Sequence, residues 1–292
     1  MTDIHKKYNA KILLFGEYTV TLGSGALAIP YDEYSGYWDF GAGHESSKHG
    51  LRKLAEFVAH SPELNAKYNL TAFYEALENG LYFNSNIPSG YGLGSSGAVV
   101  AAFYDTYSYS KNREPVLLKH ELSLLESAFH GASSGIDPLV SLLNVPILID
   151  DQYEITTLKI DKIDYNMFLL DTGISRQTGP LVSLFKSKLN DNNDFKNAVE
   201  QLSGINKEAI QSYILGDRAS LFTHFDQISK IQYDFFGEMI PEPFRKLWKT
   251  GLDSDTFKLK LCGAGGGGFL MGIGRDFIRL PDELYSFNTS FI

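Results

Sequence analysis

The chain has 292 residues, a formal net charge of -9 and a single cysteine, Cys262. With 43% hydrophobic and 21% charged residues, it has the composition of a globular protein, and its length favours two domains. The acidic balance argues against nucleic-acid binding, which needs clustered Lys and Arg. One cysteine excludes an internal disulfide and a CxxC zinc site, and predicts a cytoplasmic protein. No segment approaches the roughly 20 apolar residues of a membrane span, so no membrane association is expected.

The first half predicts alternating strands and helices. The tyrosine-rich stretch Tyr31 to Phe40 and the GAGHESSKHG segment after it are interpreted as surface loops. After Pro115, apolar residues recur at helical spacing, which predicts an amphipathic helix as far as His130. The expected strands are 10–15, two or more within 19–31 joined by turns, 81–83 and 145–149, and the expected helices are 51–59, 97–107, 114–130 and one starting at 138.

The second half predicts a strand in YNMFLLDTG, two long helical regions up to about Thr250, and two strands around the glycine run of KLKLCGAGGGGFLMGIG. The polar segment Asp161 to Asp164 separates the halves. We therefore expect a domain boundary near residue 160, with domains at 1–160 and 161–292.

The run IPSGYGLGSSGAVVAAF, Ile87 to Phe103, is the first candidate site. Gly90, Gly92 and Gly94 would let backbone N–H groups approach an anion, and Ser95 and Ser96 stand where a helix would begin. This pattern is typical of phosphate binding, although a plain connection is the alternative. There is no GxxxxGK[ST] motif. GxGxxG occurs at 92–97 and again at 263–268, and two such loops suggest a ligand held from two sides.

Carboxylates follow on the next helix and turn. Glu126 and Asp137 could converge on one site, where one holds a divalent metal and the other takes a proton from a hydroxyl. The local alternatives are that Asp137 caps a helix with Pro138 at its first position, and that Glu126 lies on a solvated face. Lys11 could likewise be an edge residue with its amine in water.

Three ordered motifs carry a resemblance to a known family: Lys11 with ILLFGEY, the run Pro88 to Ala98, and LCGAGGGGFL. This order resembles the GHMP kinase superfamily, and HGASSGID and DTGISRQT are most similar to mevalonate kinases. The resemblance implies a two-domain α+β fold with a ferredoxin-like C-terminal domain. It also implies an ATP- and Mg²⁺-dependent phosphotransferase acting on a small-molecule hydroxyl, as a monomer or homodimer.

The resemblance assigns roles by position. Asp137 matches the family's proposed base and Lys11 the lysine that activates the hydroxyl, while Ser96 and Glu126 match the metal ligands. The nucleotide-binding positions are Pro88, Gly90, Gly92, Leu93, Gly94, Ser95, Ser96 and Gly97. The substrate-binding positions are Glu17, Tyr18, His130, Arg176, Thr178, Gly263, Ala264 and Gly265.

Departures from the family pattern leave the acceptor open. Tyr18 stands where mevalonate kinases usually have a histidine, and GEY and GLGSSGAVV resemble phosphomevalonate kinases. Mevalonate is the expected acceptor, with phosphomevalonate and then a sugar as alternatives. A non-catalytic nucleotide-binding relative and, from the two GxGxxG matches, a dinucleotide-dependent oxidoreductase are the alternatives from other classes.

Overall fold

The computed structural model describes residues 5–131, 133–160, 165–275, 284 and 287–292, apart from the side chain of His130. Its contacts divide the chain into two compact units. Unit 1 comprises Met1–Lys11, Ile29–Pro88 and Leu93–Pro146. Unit 2 comprises Ile12–Ala28, Ser89–Gly92 and Ile147–Ile292. The expected boundary segment, Asp161 to Asp164, lies outside the described residues, so the domain boundary near residue 160 stays a prediction.

Helices and antiparallel strands make up both units, as the α+β expectation requires. The strands are β1 Tyr8–Phe15, β2 Ala26–Phe40, β3 Leu81–Ser85, β4 Ile147–Ile149, β5 Ile155–Thr157, β6 Met167–Asp171, β7 Phe257–Leu261, β8 Phe269–Gly274 and β9 Thr289–Phe291. The α-helices are α1 Glu45–His60, α2 Leu70–Glu78, α3 Ser95–Tyr107, α4 Pro115–His130, α5 Ile136–Leu143, α6 Thr178–Asp191, α7 Asn193–Leu215, α8 Arg218–Phe235 and α9 Arg245–Asp253.

Unit 1 packs α1 to α5 with the antiparallel pair formed by β2 and β3. Trp38 pairs with Phe83 across these two strands, and the two rings meet edge to face at 5.3 Å. Trp38 is buried, and its indole N–H donates to Thr106 at the end of α3. The strand pair therefore contacts directly the helix that begins after the first glycine run.

The interpretation of Tyr31 to Phe40 as a surface loop is wrong, because these residues form the second part of β2. Tyr31 and Trp38 supply buried aromatic side chains, and the strand gains a partner in β3. The following GAGHESSKHG segment is also only partly a loop, since α1 begins at Glu45. Aromatic residues favour strands when one face is buried, a condition that tertiary packing supplied here.

Unit 2 contains a four-stranded antiparallel sheet in the order β7-β8-β6-β9. Strands β7 and β8 are buried along their whole length, as are the first four residues of β6, and α8 packs on β7. Gly272 faces Phe168 across the sheet, where a β-carbon would lie 2.1 Å from the phenyl ring. In the same unit the start of β2 pairs with β4, and β4 pairs with β5.

Two further expectations need correction. The segment Thr19–Leu22 is a short 3-10 helix that ends at Gly23 in the left-handed conformation, so only the second half of 19–31 is a strand. The two long helical regions expected before Thr250 are four helices, α6 to α9. In the part of the chain that the structure describes, no helix is both long enough and apolar enough to cross a membrane.

Candidate active site

Lys11 and Asp137 form an ion pair inside unit 1. The Lys11 Nζ atom lies 3.0 Å from Asp137 Oδ1, and 9% of the lysine side chain is exposed. Lys11 lies in β1, and its backbone N–H donates to the carbonyl of Leu93 in the first glycine run. The alternative of an edge lysine with its amine in water is therefore wrong.

Asp137 lies in the first turn of α5. The N-cap of that helix is Gly135, in the left-handed conformation, and no side chain caps it. The capping interpretation of Asp137 is therefore wrong, because the helix already begins at Ile136. The carboxylate is held by Lys11 and remains partly exposed, with 29% of its side chain accessible. It is thus available to accept a proton from a bound hydroxyl.

Glu126 lies on α4 and is buried, with 4% of the residue exposed, so it does not lie on a solvated face. The Ser96 hydroxyl donates to Glu126 Oε1 at 2.9 Å, and the Ser133 hydroxyl donates to Oε2. Ser133 also accepts the N–H of Gly135, which ties the carboxylate to the turn before α5. Sequence reasoning missed Ser133, although it lies in the HGASSGID segment.

Glu126 and Asp137 place two carboxylates near the Lys11 ammonium. Burial and the neighbouring Asp137 carboxylate raise the pKa of Glu126 to about 7, against the opposing effect of the Ser133 and Ser96 hydroxyls and the Lys11 ammonium. Among the side chains that the structure describes here, the Glu126 and Asp137 carboxylates thus share the Lys11 ammonium. A divalent ion with oxygen ligands would relieve this imbalance, and the hydroxyl and carboxylate oxygens of Ser96 and Glu126 are donors that Mg²⁺ accepts.

The described residues contain no group of three or more His, Cys, Asp or Glu side chains that could hold a metal ion. Ser96 and Glu126 therefore fit Mg²⁺ only as a partial set of ligands. This is the usual situation for Mg²⁺ bound together with substrate phosphates, which complete its coordination along with water.

The first glycine run leads into α3 as expected. Gly90, Gly92 and Gly94 have φ values of 78°, 75° and 75°, which L side chains rarely adopt. Gly94 is the N-cap of α3, so the capping residue itself has no side chain that could accept an N–H of the first turn. An anion near this end would interact favourably with those donors and with the helix dipole.

Close packing also explains why positions 94 and 97 are glycine. A β-carbon on Gly97 would lie 2.8 Å from Asp137, and one on Gly94 would lie 3.3 Å from Lys11 Cγ. Helices α3 and α5 can approach each other only because position 97 has no side chain. The glycines thus bring the Ser96 and Asp137 side chains close together as well as leaving the backbone accessible.

Arg176 belongs to unit 2, together with Gly92 and the second glycine run. Its Nη1 atom donates to the carbonyls of Cys262 at 3.0 Å and Gly265 at 2.9 Å. A β-carbon on Gly92 would lie 2.0 Å from Arg176 Nη2. Arg176 therefore holds backbone carbonyls of the second glycine run, and Gly92 leaves room for its guanidinium.

Glu17 and Tyr18 also lie in unit 2. Glu17 is buried, and its Oε1 atom accepts a hydrogen bond from the equally buried Lys260. The Tyr18 hydroxyl donates to the carbonyl of Ala264 at 2.6 Å. Lys260 was missed from sequence, although a lysine alternating with apolar residues in KLKL was the available signal.

The remaining expected site residues are less informative. Pro88 is half-buried, Leu93 is buried and Ser95 is the first residue of α3. Thr178 is exposed at the start of α6. His130 ends α4, and its side chain lies outside the described residues. Gly263 and Gly265 have φ values near 70°, in the left-handed region.

Comparison with known proteins identifies the class of this fold. Residues 56–144 match the family described as GHMP kinases N terminal domain. Mevalonate kinase of L. major, solved in complex with R-mevalonate, has a TM-score of 0.62 and 19% sequence identity, over 93% of this chain and 88% of that one. The fold is therefore a GHMP kinase fold. The ferredoxin-like description of its C-terminal part stays a prediction.

The relatives found by sequence comparison are mevalonate kinases. The mevalonate kinase of Thermococcus onnurineus is 31% identical over 167 residues, which cover 46% of this chain and only 48% of the relative. The mevalonate kinase of Pyrococcus abyssi is 26% identical over 90% of this chain and 86% of the relative. These matches confirm the resemblance to the GHMP kinase superfamily, and within it to mevalonate kinases.

Proposed function

We propose that this protein transfers the γ-phosphoryl group of ATP to a hydroxyl of a small metabolite. One observation carries the proposal: the Lys11 and Asp137 ion pair adjoins the hydrogen-bonded pair of half-buried Ser96 and buried Glu126 in unit 1. Phosphoryl transfer requires a positioned base, positive charge near the transferred group and a metal ligand set. These four side chains supply the protein's part of each.

In this proposal the oxygen of the acceptor hydroxyl forms a bond to the γ-phosphorus, and Asp137 accepts the proton of that hydroxyl. The bond between the γ-phosphorus and the ADP oxygen breaks, and ADP leaves. Lys11 holds the Asp137 carboxylate in place through their ion pair and offers an ammonium to the phosphoryl oxygens. A general base of this kind contributes about 10²- to 10⁴-fold in rate. The N-terminal end of α3 would bind phosphate through its backbone N–H groups.

Ser96 and Glu126 would hold Mg²⁺. The ion would neutralise negative charge that develops on the nucleotide phosphates during transfer. The hydroxyls of Ser96 and Ser133 donate to the Glu126 carboxylate and hold it in one orientation. Burial and the Asp137 carboxylate raise the pKa of Glu126 to about 7, and a bound cation would favour its ionised form.

We further propose that mevalonate is the acceptor. The support is the resemblance of HGASSGID and DTGISRQT to mevalonate kinases and the mevalonate kinase names of the sequence relatives. We assign Glu17, Tyr18, Arg176, Thr178 and the backbone of 263–265 to the acceptor region by the same resemblance. Phosphomevalonate is the second candidate acceptor, because GEY and GLGSSGAVV resemble its kinases.

A coupled ADP-release assay with ATP and Mg²⁺ tests the proposal over mevalonate, phosphomevalonate, homoserine and several hexoses. We expect turnover with mevalonate, and no turnover in the Lys11→Met variant, which controls for a contaminating kinase. Turnover with a hexose and none with mevalonate would overturn the acceptor assignment. Absence of turnover with every acceptor, while ATP still raises the melting temperature, would instead support a non-catalytic nucleotide-binding protein.

A further inference from the structure

Tyr18 has an unusual backbone conformation. Its φ of 63° and ψ of -46°, with the Thr19 N–H donating to the Glu17 carbonyl at 2.7 Å, define a γ-turn of the rare, strained kind. A non-glycine residue keeps such a conformation only where its surroundings determine it. The contacts of Glu17 and Tyr18 therefore indicate what the turn is for.

Both side chains of this turn reach the second glycine run, residues 263–268, within unit 2. Glu17 is paired with Lys260 at the end of β7, three residues before the run begins. The Tyr18 ring stacks on Phe185 with centroids 4.6 Å apart, and its hydroxyl donates to the Ala264 carbonyl. Burial raises the pKa of the phenol, so the hydroxyl stays protonated and remains a donor.

Several backbone groups of the run are held by partners within unit 2. The carbonyls of Cys262 and Gly265 accept from Arg176. The Gly266 N–H donates to the carbonyl of Met239. The Gly268 N–H donates to the Ile174 carbonyl. These groups therefore serve the architecture of the run.

The peptide joining Ala264 and Gly265 is held at its carbonyl end. Its carbonyl is held by Tyr18, while its N–H, on Gly265, has no acceptor among the residues that the structure describes. Because a trans peptide is planar, its N–H points away from its C=O. Fixing the Ala264 carbonyl therefore also fixes the direction of the Gly265 N–H. A backbone donor left without a protein partner is uncommon and points to an external acceptor.

We propose that Tyr18 is a positioning residue, which orients the 264–265 peptide so that the Gly265 N–H donates to a carboxylate or phosphate oxygen of the bound substrate. This inference rests on the proposed function for the identity of the substrate. The hydroxyl is the essential part, since it makes the only hydrogen bond described from the Tyr18 side chain. The γ-turn holds the ring at the angle from which the hydroxyl reaches Ala264.

The test compares Tyr18→Phe with Tyr165→Phe. Tyr165 is a matched control in the same unit, because its ring stacks on Tyr213 at 4.4 Å and its hydroxyl donates to a backbone carbonyl, that of Tyr213. Hydrogen exchange of the peptide that covers 262–268 is measured in the ligand-free proteins. We expect about fivefold faster exchange in Tyr18→Phe, as for the loss of one hydrogen bond, and no change in Tyr165→Phe.

The kinetic readout separates positioning from general stability. Tyr18→Phe should raise KM for the acceptor about fivefold or more at a melting temperature close to that of Tyr165→Phe, whose KM stays at the parent value. The positioning role would be overturned if hydrogen exchange of the run is unchanged in Tyr18→Phe. It would also be overturned if the KM for the acceptor rises equally in Tyr18→Phe and Tyr165→Phe. Faster exchange only in Tyr18→Phe, in a parent protein that phosphorylates nothing, would support the positioning role and count against the proposed function.

Discussion

The Lys11 ammonium lies 3.0 Å from the Asp137 carboxylate, and the lysine is much less exposed than the aspartate. A buried cation thus supports a partly accessible anion. This arrangement makes each partner dependent on the other, since removing one would leave a charge uncompensated.

Asp137→Asn should lower kcat by roughly 10²-fold or more while ATP binding stays near the parent level, because the general base is lost and the shape is kept. Steady-state kinetics and calorimetric ATP titration measure the two effects. Asp39→Asn is the control, since Asp39 lies in β2 of the same unit and accepts hydrogen bonds from Tyr82 and Asn84. An unchanged kcat in Asp137→Asn would show that this carboxylate is not the base.

Glu126→Ala should raise the Mg²⁺ concentration needed for half-maximal activity, because a carboxylate ligand is lost. Ser133→Ala should shift the same requirement in the same direction but less, since Ser133 only orients the carboxylate. A titration of activity with Mg²⁺ at fixed ATP gives both shifts. If Glu126→Ala keeps the metal dependence of the parent, the ligand assignment is wrong.

Gly97→Ala should destabilise the protein by about 1–3 kcal/mol, because the new β-carbon would lie 2.8 Å from Asp137 and overpack α3 against α5. Activity should fall as well, since Asp137 would move. Gly204→Ala is the matched control on α7, where a β-carbon would meet nothing within 4 Å. That substitution should stabilise by about 0.5–1 kcal/mol. Urea denaturation of both variants decides whether close packing requires Gly97.

Lys260→Met should cost about 3–5 kcal/mol at pH 7, because it leaves the Glu17 carboxylate buried without its cation. Burial already raises the pKa of Glu17 above its ordinary value, against the effect of Lys260. Without Lys260 the pKa should rise further, so the folded state holds a proton that the unfolded state has released.

The variant should therefore lose stability as the pH rises from about 5 to 7 and regain it as the pH falls, relative to the parent. Denaturation midpoints across this range provide the measurement. The double variant Glu17→Gln with Lys260→Met removes the titrating group and should show no such dependence. An equal pH dependence in the single and double variants would show that Glu17 is not the group responsible.

Several elements followed from local sequence patterns. Helix α4 was expected from apolar spacing after Pro115, and β1, β3, β6, β7 and β8 were expected from short apolar runs bounded by turns. Glu126 and Asp137 were expected to converge, and the roles of Lys11 and Ser96 came from the family resemblance; the structure brings these four together in unit 1. Local spacing predicts helices and strands because their geometry repeats over a few residues, whereas the contact of Lys11 with Asp137 joins residues far apart in the chain.

Other features depended on partners far away in the chain. The tyrosine-rich part of β2 became a strand because β3 pairs with it, and Glu17 finds Lys260 at a separation of 243 residues. The contacts of Ser133 with Glu126, and of Arg176 with the second glycine run, likewise have no signature in local spacing. The sequence by itself thus determined the composition class, the motif order and the chemically capable residues. Only the tertiary structure decided which of them form ion pairs, because burial and distance set the strength of an electrostatic interaction.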